Sequence, residues 1–415
     1  MKTRVFEASE PGAGELIRNG GLVAVPTETV YGLAGNGLDE AAVRKIYEVK
    51  GRPAVKPLSL MVPGKSAMKF YCDPVPQDAE YLAEKFWPGP LTIVLNSRSI
   101  VPEIVRAGGE TVGLRCPDSA PTLSALKEAA VPFAAPSANP SGEPSPKSAS
   151  EVLNYFDGTI DGIIDGGECV LGTESTLIAM NTLPYRILRQ GALPYEMIAD
   201  ALAENMTVIG VTGPTGCGKT SVLDFASEVY KEDCFTVDCD RLYHSLLAEN
   251  AELNAAILMT FPEASEEAPL SGVVHVDRKK LSGIVFEDAD KLCRLNEVTH
   301  PFVVSAVKDL IRQQAMNGKK IFVIDASELI GSGADLLCSV TVSVLAPLED
   351  RIQRIMNRDG LSRFDAEKRI KAQHEDAFYS ENTMYSIGND GTFEEYRKKV
   401  LDLLNNLIGG AENEG

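Results

Sequence analysis

Two groups of residues able to handle phosphates lie in opposite halves of the chain. In the second half, Gly213-Pro-Thr-Gly-Cys-Gly218-Lys219-Thr220 has the spacing G-x-x-x-x-G-K-[ST], between a strand-like TVIGV and a helix-like SVLDFASEVY. Glycines 213, 216 and 218 let successive backbone N–H groups, that of Cys217 included, point into one concavity. The helix start adds positive potential, Lys219 reaches the β/γ phosphates of ATP, and Thr220 can ligate Mg2+. Next, Cys234-Phe-Thr-Val-Asp238-Cys-Asp240 is an apolar strand ending in two carboxylates. An aspartate at a strand's carboxyl end faces the ligand crevice, so Asp240 either accepts a proton from an attacking hydroxyl or caps a helix. A second strand, IFVIDA, ends in Asp325, which holds a magnesium-bound water or caps a turn. Residues 351–371 carry seven Lys/Arg against three Asp/Glu, with Arg351, Arg354 and Arg358 on one helical face. That face is a lid over ATP or simply a solvated surface.

The first half offers no such template. All four histidines lie beyond residue 240, so residues 1–205 cannot hold a Ser-His or Cys-His couple. What they offer is Lys50-Gly-Arg52 with Lys56, a strand ending in Arg115, the loop Pro136-Ser137-Ala-Asn139, Glu174-Ser175-Thr176, and Arg189. Cations placed after apolar strands, with small hydroxyl residues in Pro/Gly-rich loops, suit an anion-binding cleft.

These residues must be held by α/β architecture, because apolar strand-like runs alternate with helical periodicity along the chain. A length of 415 residues fits two or three domains, and 44% hydrophobic content can fill their cores. The seam falls after the amphipathic GALPYEMIADALAEN, giving domains 1–205 and 206–408 and a disordered tail 409–415. The net charge of −19 divides as −7 for 1–205 and −12 for 206–415, which argues against broad direct binding to nucleic acid or to a membrane surface. The eight cysteines lack a CxxC and read as reduced thiols; with no apolar signal segment at the start, the chain reads as cytoplasmic.

Taken as sets, the motifs carry two resemblances. Asp238-Cys-Asp240-Arg-Leu-Tyr-His244, Leu295-Asn-Glu-Val-Thr-His300-Pro301, Leu361-Ser-Arg-Phe-Asp-Ala-Glu-Lys-Arg369-Ile-Lys-Ala-Gln373 and Ile387-Gly-Asn389-Asp390-Gly391, with the phosphate loop, resemble dephospho-CoA kinase. The resemblance implies a P-loop kinase domain with a parallel sheet and a helical lid, transferring the ATP γ-phosphate to dephospho-CoA. It implies Asp240 as base on the ribose 3′-hydroxyl and Lys219 and Arg358 on the phosphates. Asp238, His244 and His300 would lie at the acceptor, with Thr220 and Asp325 at Mg2+. The chain departs from the family at Pro214 and across Asp325-Ala-Ser327-Glu328-Leu-Ile-Gly331. A nucleotide-binding regulatory module, or a kinase for another small nucleoside-type acceptor, stays as the alternative.

Pro26-Thr27-Glu-Thr-Val-Tyr31-Gly, Lys50-x-Arg52 with Lys56-Pro-Leu, Trp87-Pro-Gly-Pro90, Arg115-x-Pro117, Pro136-Ser-Ala-Asn139 and Glu174-Ser-Thr resemble the YrdC-type threonylcarbamoyl-AMP synthase family. This implies a twisted mixed α/β domain condensing L-threonine, bicarbonate and ATP, with Mg2+, and passing the product to a tRNA threonylcarbamoyl transferase. By the resemblance Lys50, Arg52, Ser137 and Asn139 hold the triphosphate and its Mg2+. Thr27, Tyr31, Arg115 and Ser175 cradle threonine, while Lys56 and Arg189 bind ATP or the carbamate-bearing side. An RNA-binding module is the other reading of this half.

Overall fold

The computed structural model describes residues 2–266, 275–285 and 288–409. Its contacts form two compact units that divide after Leu202, within the helix Tyr195–Ala203. Of the tail 409–415, only Gly409, the last residue of the helix Phe393–Gly409, is described; 410–415 lie outside the described residues. No described helix is long and apolar enough to cross a membrane.

The first unit is built on a mixed ten-stranded sheet. In chain order the strands are β1 (Arg4–Glu7), β2 (Val23–Val25), β3 (Gly32–Asn36), β4 (Ser59–Met61), β5 (Leu91–Asn96), β6 (Thr111–Arg115), β7 (Phe133–Ala134), β8 (Gly162–Asp165), β9 (Thr176–Ala179) and β10 (Arg186–Arg189). Their spatial order is β1-β8-β2-β3-β7-β4-β6-β5-β9-β10. Four pairs are parallel (β1/β8, β8/β2, β4/β6, β5/β9) and the rest antiparallel. Phe6, Val23, Val25, Phe133 and Ile164 fill one side of the sheet. The functional side chains sit where strands or helices stop. Arg115 ends β6, Arg189 ends β10, Ser175 immediately precedes β9, and Lys50 ends the helix Glu40–Lys50. That helix is fixed at both ends: Asp39 accepts from Ala41 N, and Gly51 takes the left-handed conformation that closes it.

The second unit carries an all-parallel sheet of β11 (Thr207–Thr212), β12 (Cys234–Asp238), β13 (Ile321–Asp325), β14 (Val340–Leu345) and β15 (Tyr385–Gly388), in the order β12-β13-β11-β14-β15. Parallel strands covered on both faces need near-continuous apolar sequence, as TVIGVT and IFVID supply. Ile209, Val211, Val323, Val342 and Val344 pack there against the helices Lys219–Tyr230 and Phe393–Gly409. A separate helical core, with Leu253, Ile257, Leu281 and Leu295, joins the helices Cys239–Glu249, Ala251–Thr260, Arg278–Val285 and Ala289–Met316. The expected lid is a helix pair, Leu348–Asp359 and Arg363–Lys371, closed on its own small core of Ile352, Ile355 and Ala366.

Candidate active sites

In the second unit the phosphate loop leaves central strand β11 and enters the helix Lys219–Tyr230. Gly213, Gly216 and Gly218 have φ of 138°, 83° and 107°, a region other residues enter at a cost. A Cβ on Gly213 would stand 2.2 Å from Val344 O. The loop's carbonyls are held by side chains from several elements. Lys219 Nζ donates to Gly213 O at 2.8 Å and Arg351 Nε to Thr215 O at 3.2 Å. Arg354 Nη1 donates to Gly216 O and Cys217 O, Asn389 Nδ2 to Cys217 O, and Tyr396 Oη to Gly218 O. Cys217 is fully buried, so it contributes its backbone only.

The loop opens on a cleft of about 280 Å³ lined by Lys219, Thr220, Asp238, Asp240 and Asp325, with Ser327, Arg354, Arg358 and Arg369 on other walls. Asp238 and Asp325 end the adjacent parallel strands β12 and β13 and are register partners. Asp325 is buried, and that burial, with Asp238 and Asp240 nearby, raises its carboxyl to about 6 against the pull of Lys219. Thr220 Oγ1 lies 3.4 Å from Asp325 Oδ2. The helix cap considered for Asp240 falls instead to Asp238, whose Oδ1 accepts from Asp240 N and Arg241 N at 2.9 and 3.1 Å. The Asp240 side chain is left to the cleft.

The three arginines expected together on the lid separate. Arg354 and Arg358 reach the cleft, whereas Arg351 is 4% exposed and pairs with Asp376 at 3.1 Å behind the loop. Arg358 is held by Asp359, at 2.8 and 2.9 Å, and Asp359 also takes Arg369 at 2.8 Å. The residues lining the cleft do not include His244 or His300. His244 is exposed, 3.1 Å from Arg278; His300 is half-buried on the long helix, its imidazole lowered by burial. Four cleft residues, Thr215, Ser327, Arg354 and Arg369, go beyond those that the sequence assigns to the site. Arg354 is visible as one of the lid-face arginines, Arg369 within the lid motif, Thr215 within the phosphate loop, and Ser327 within the segment that departs from the family pattern.

The first unit gathers two clusters. In one, Arg115 Nη2 donates to Glu28 Oε1 and Thr29 Oγ1, both at 2.8 Å, and Glu28 Oε2 accepts from Asp118 N at 3.0 Å. Both partners are largely buried, so the pair is an oriented one. Thr27 Oγ1 is within 2.8 Å of Thr29 Oγ1 and donates to Val30 O. Thr27, Glu28, Gly89, Asp118, Gly166 and Gly167 line a cleft of about 460 Å³. Tyr31 is fully buried and its hydroxyl is engaged by backbone, donating to Gly167 O and accepting from Gly166 N. Burial pushes that phenol to about 12, so it braces the wall as a neutral group.

In the other cluster Lys50 Nζ donates to Ser137 O and Asn139 O, and burial beside Arg52 lowers the ammonium to about 7. Arg52 donates to Lys56 O and Pro57 O; the Lys56 side chain is exposed. Arg189 Nη2 donates to Ser175 O at 2.8 Å and lies 3.2 Å from Ser175 Oγ, which is also 2.8 Å from Thr92 Oγ1. Asn139 Oδ1 is buried with no hydrogen-bond partner, an acceptor left unsatisfied by the protein. Sequence reasoning passes over Glu28, although it lies within the quoted Pro26–Tyr31 segment.

Comparison with known proteins agrees with this division. Residues 15–191 match the Sua5/YciO/YrdC family model, described as "Telomere recombination", and residues 207–395 match the CoaE model, described as "Dephospho-CoA kinase". The first half is 47% identical over 204 residues to a threonylcarbamoyl-AMP synthase of Pyrococcus abyssi, covering 49% of this chain and 60% of that protein. It is 43% identical over 189 residues to the threonylcarbamoyl-AMP synthase of Bacillus subtilis, covering 45% and 54%. The chain thus spans little more than half the length of these two relatives. The second half is 32% identical over 201 residues to the dephospho-CoA kinase of Chlorobaculum tepidum, covering 48% of this chain and 95% of that protein. The chain therefore belongs, through its second half, to the dephospho-CoA kinase family, while its first half matches the Sua5/YciO/YrdC family model.

Proposed function

We propose that this chain is a bifunctional, cytoplasmic ATP-using enzyme. The second unit transfers the γ-phosphate of ATP to the 3′-hydroxyl of dephospho-CoA, giving CoA and ADP. The first condenses L-threonine, bicarbonate and ATP into threonylcarbamoyl-AMP and pyrophosphate. The observation that carries the kinase reading is the convergence of the phosphate loop, three strand-end or helix-start carboxylates and three arginines on one cleft. The regulatory-module alternative has no use for that carboxylate set.

In the kinase, Lys219 exchanges Gly213 O for the β/γ phosphates, while Arg354, Arg358 and Arg369 balance the charge spread over the transferring group. Asp240 accepts the proton of the attacking hydroxyl. Asp238 fixes the start of the helix that carries it. Thr220 Oγ1 and the Asp325 carboxylate are hard oxygen donors 3.4 Å apart and would hold a Mg2+ brought in with the nucleotide. Among the described residues no three His, Cys, Asp or Glu side chains converge on one metal position, and such a phosphate-borne ion does not call for them. When bound, the ion neutralises charge on the β- and γ-phosphate oxygens.

In the first unit no nucleophilic side chain is required. Bicarbonate gives up water to supply CO2, the threonine amine adds to it and loses a proton, the carbamate oxygen attacks the α-phosphorus, and pyrophosphate leaves, so the protein chiefly positions reactants and neutralises charge. Arg115, aimed by Glu28, meets the threonine carboxylate beside Thr27 and Ser175. Lys50, Arg52, Lys56 and Arg189 supply positive charge for the triphosphate, Lys50 by exchanging the carbonyls of Ser137 and Asn139 for it, and the unsatisfied Asn139 Oδ1, with Ser137, would suit Mg2+. A downstream transferase acting on tRNA would consume the labile adenylate. Replacing Lys219 by Ala should abolish dephospho-CoA-dependent ADP formation and spare threonine-dependent AMP formation; Lys50→Ala should do the reverse. Equal loss of both products in either variant refutes two separate sites.

A further inference from the structure

The phosphate loop is held at one residue by contacts that its own motif does not specify. Thr215 follows Pro214 and lies between Gly213 and Gly216, both at positive φ, a loop backbone that most residues adopt only at a cost. All three of its polar groups are pinned from outside. Gln373 Oε1 accepts from Thr215 N at 2.8 Å, Gln373 Nε2 donates to Thr215 Oγ1 at 2.9 Å, and Arg351 Nε donates to Thr215 O at 3.2 Å. Thr215 lines the nucleotide cleft while Gln373 does not. Gln373 follows the helix Arg363–Lys371, whose Arg369 reaches the same cleft. Arg351 is anchored in turn by Asp376, three residues past Gln373.

We propose that Gln373 is a positioning residue for ATP. Its carboxamide reads both the N–H and the hydroxyl of Thr215, holding the loop open so that the amides beyond it converge on phosphate. It also withdraws the Thr215 N–H from the set that the nucleotide can use. The inference rests on the kinase reading of this unit. It further means that the Arg363–Lys371 side of the lid is tied to the loop by Gln373, beside the contacts that Arg351 and Arg354 make from the first lid helix.

The test uses the full chain carrying Gln373→Met, which keeps length and removes both hydrogen bonds, beside Thr215→Val, which removes only the hydroxyl, and the double variant. Mg·ATP affinity of the second unit is measured by titration calorimetry with every variant, and the parent, carrying Lys50→Ala to disable the first unit's ATP site, with turnover of dephospho-CoA and thermal unfolding alongside. Loss of two preorganising hydrogen bonds should weaken Mg·ATP binding about tenfold in Gln373→Met, with KM for dephospho-CoA and the melting temperature little changed. Thr215→Val should lose less, and adding it to Gln373→Met should cost nothing further, because the shared contact is already gone. Unchanged ATP affinity overturns the proposal, and so does additivity in the double variant. A parallel fall in melting temperature, ATP affinity and acceptor KM also overturns it, since that reports general damage. If the parent chain binds Mg·ATP but makes no CoA, the kinase reading fails, while the affinity ratios still decide the role of Gln373.

Discussion

Replacing Asp325 by Asn should make the second unit more stable while destroying its kinase activity. The carboxyl stands at the end of β13, 7% exposed, and burial beside Asp238 and Asp240 raises it to about 6 even with Lys219 opposing. In the unfolded chain it titrates at about 3.9, so its ionised form is worse off in the fold by roughly two pH units, or about 3 kcal/mol. The sign follows from the raised value. Stability that this group contributes is fully present below about pH 4 and is lost as pH rises through about 6. Relative to the non-titrating Asp325→Asn variant, the deficit of the parent should be about half of that penalty at pH 5 and nearly all of it at about pH 7.5. For a unit of this size that corresponds to a rise in melting temperature of roughly 6–12 °C at that higher pH. The chain has a single tryptophan, Trp87, buried in the first unit, so its fluorescence follows that unit alone. Circular dichroism then supplies the transition of the second unit by difference. A variant no more stable than the parent at the higher pH, or a gap that fails to widen between the two pH values, refutes the reasoning.

Two further outcomes follow from the same geometry. Gly213→Ala forces a Cβ to 2.2 Å from Val344 O at φ 138°, and should destabilise the second unit by about 3 kcal/mol in the same unfolding assay, leaving the Trp87 transition in place. Asp240→Asn keeps the side-chain shape and removes a proton acceptor, so CoA formation should fall at least ~100-fold while Mg·ATP affinity, by calorimetry, stays within about twofold.

What the sequence discloses and what it withholds separate along physical lines. The phosphate loop, the carboxylates ending β12 and β13, and the parallel sheet are readable because each depends on local spacing: glycines at fixed offsets, and apolar runs closed by an acid. Contacts between remote segments are not. The Arg115–Glu28 pair spans 87 positions, and neither residue's neighbours announce the other. Helical periodicity puts Arg351, Arg354 and Arg358 on one face, yet only packing decides that Arg351 lies beneath the loop while Arg354 and Arg358 face the cleft. Lys50 reads as an ordinary helix-end lysine; its burial against the carbonyls of Ser137 and Asn139 appears only when a loop 87 residues away folds over it. The first sheet resists counting because β2, β4 and β7 are only three, three and two residues long, too short for a period to show. Nor can pattern alone separate His244 and His300 from the cleft-lining residues, since their quoted motifs lie on helices whose packing, not spacing, sets their distance from the phosphates.

The central claim, two ATP-consuming active sites in one chain, is tested most directly by a single chromatographic separation of nucleotides. The protein is incubated with Mg·ATP, L-threonine, bicarbonate and dephospho-CoA, and each acceptor is omitted in turn. The account predicts AMP that requires both threonine and bicarbonate, together with ADP and CoA that require dephospho-CoA, each pair lost without affecting the other. AMP formation indifferent to threonine, or the absence of CoA when dephospho-CoA is present, would contradict it.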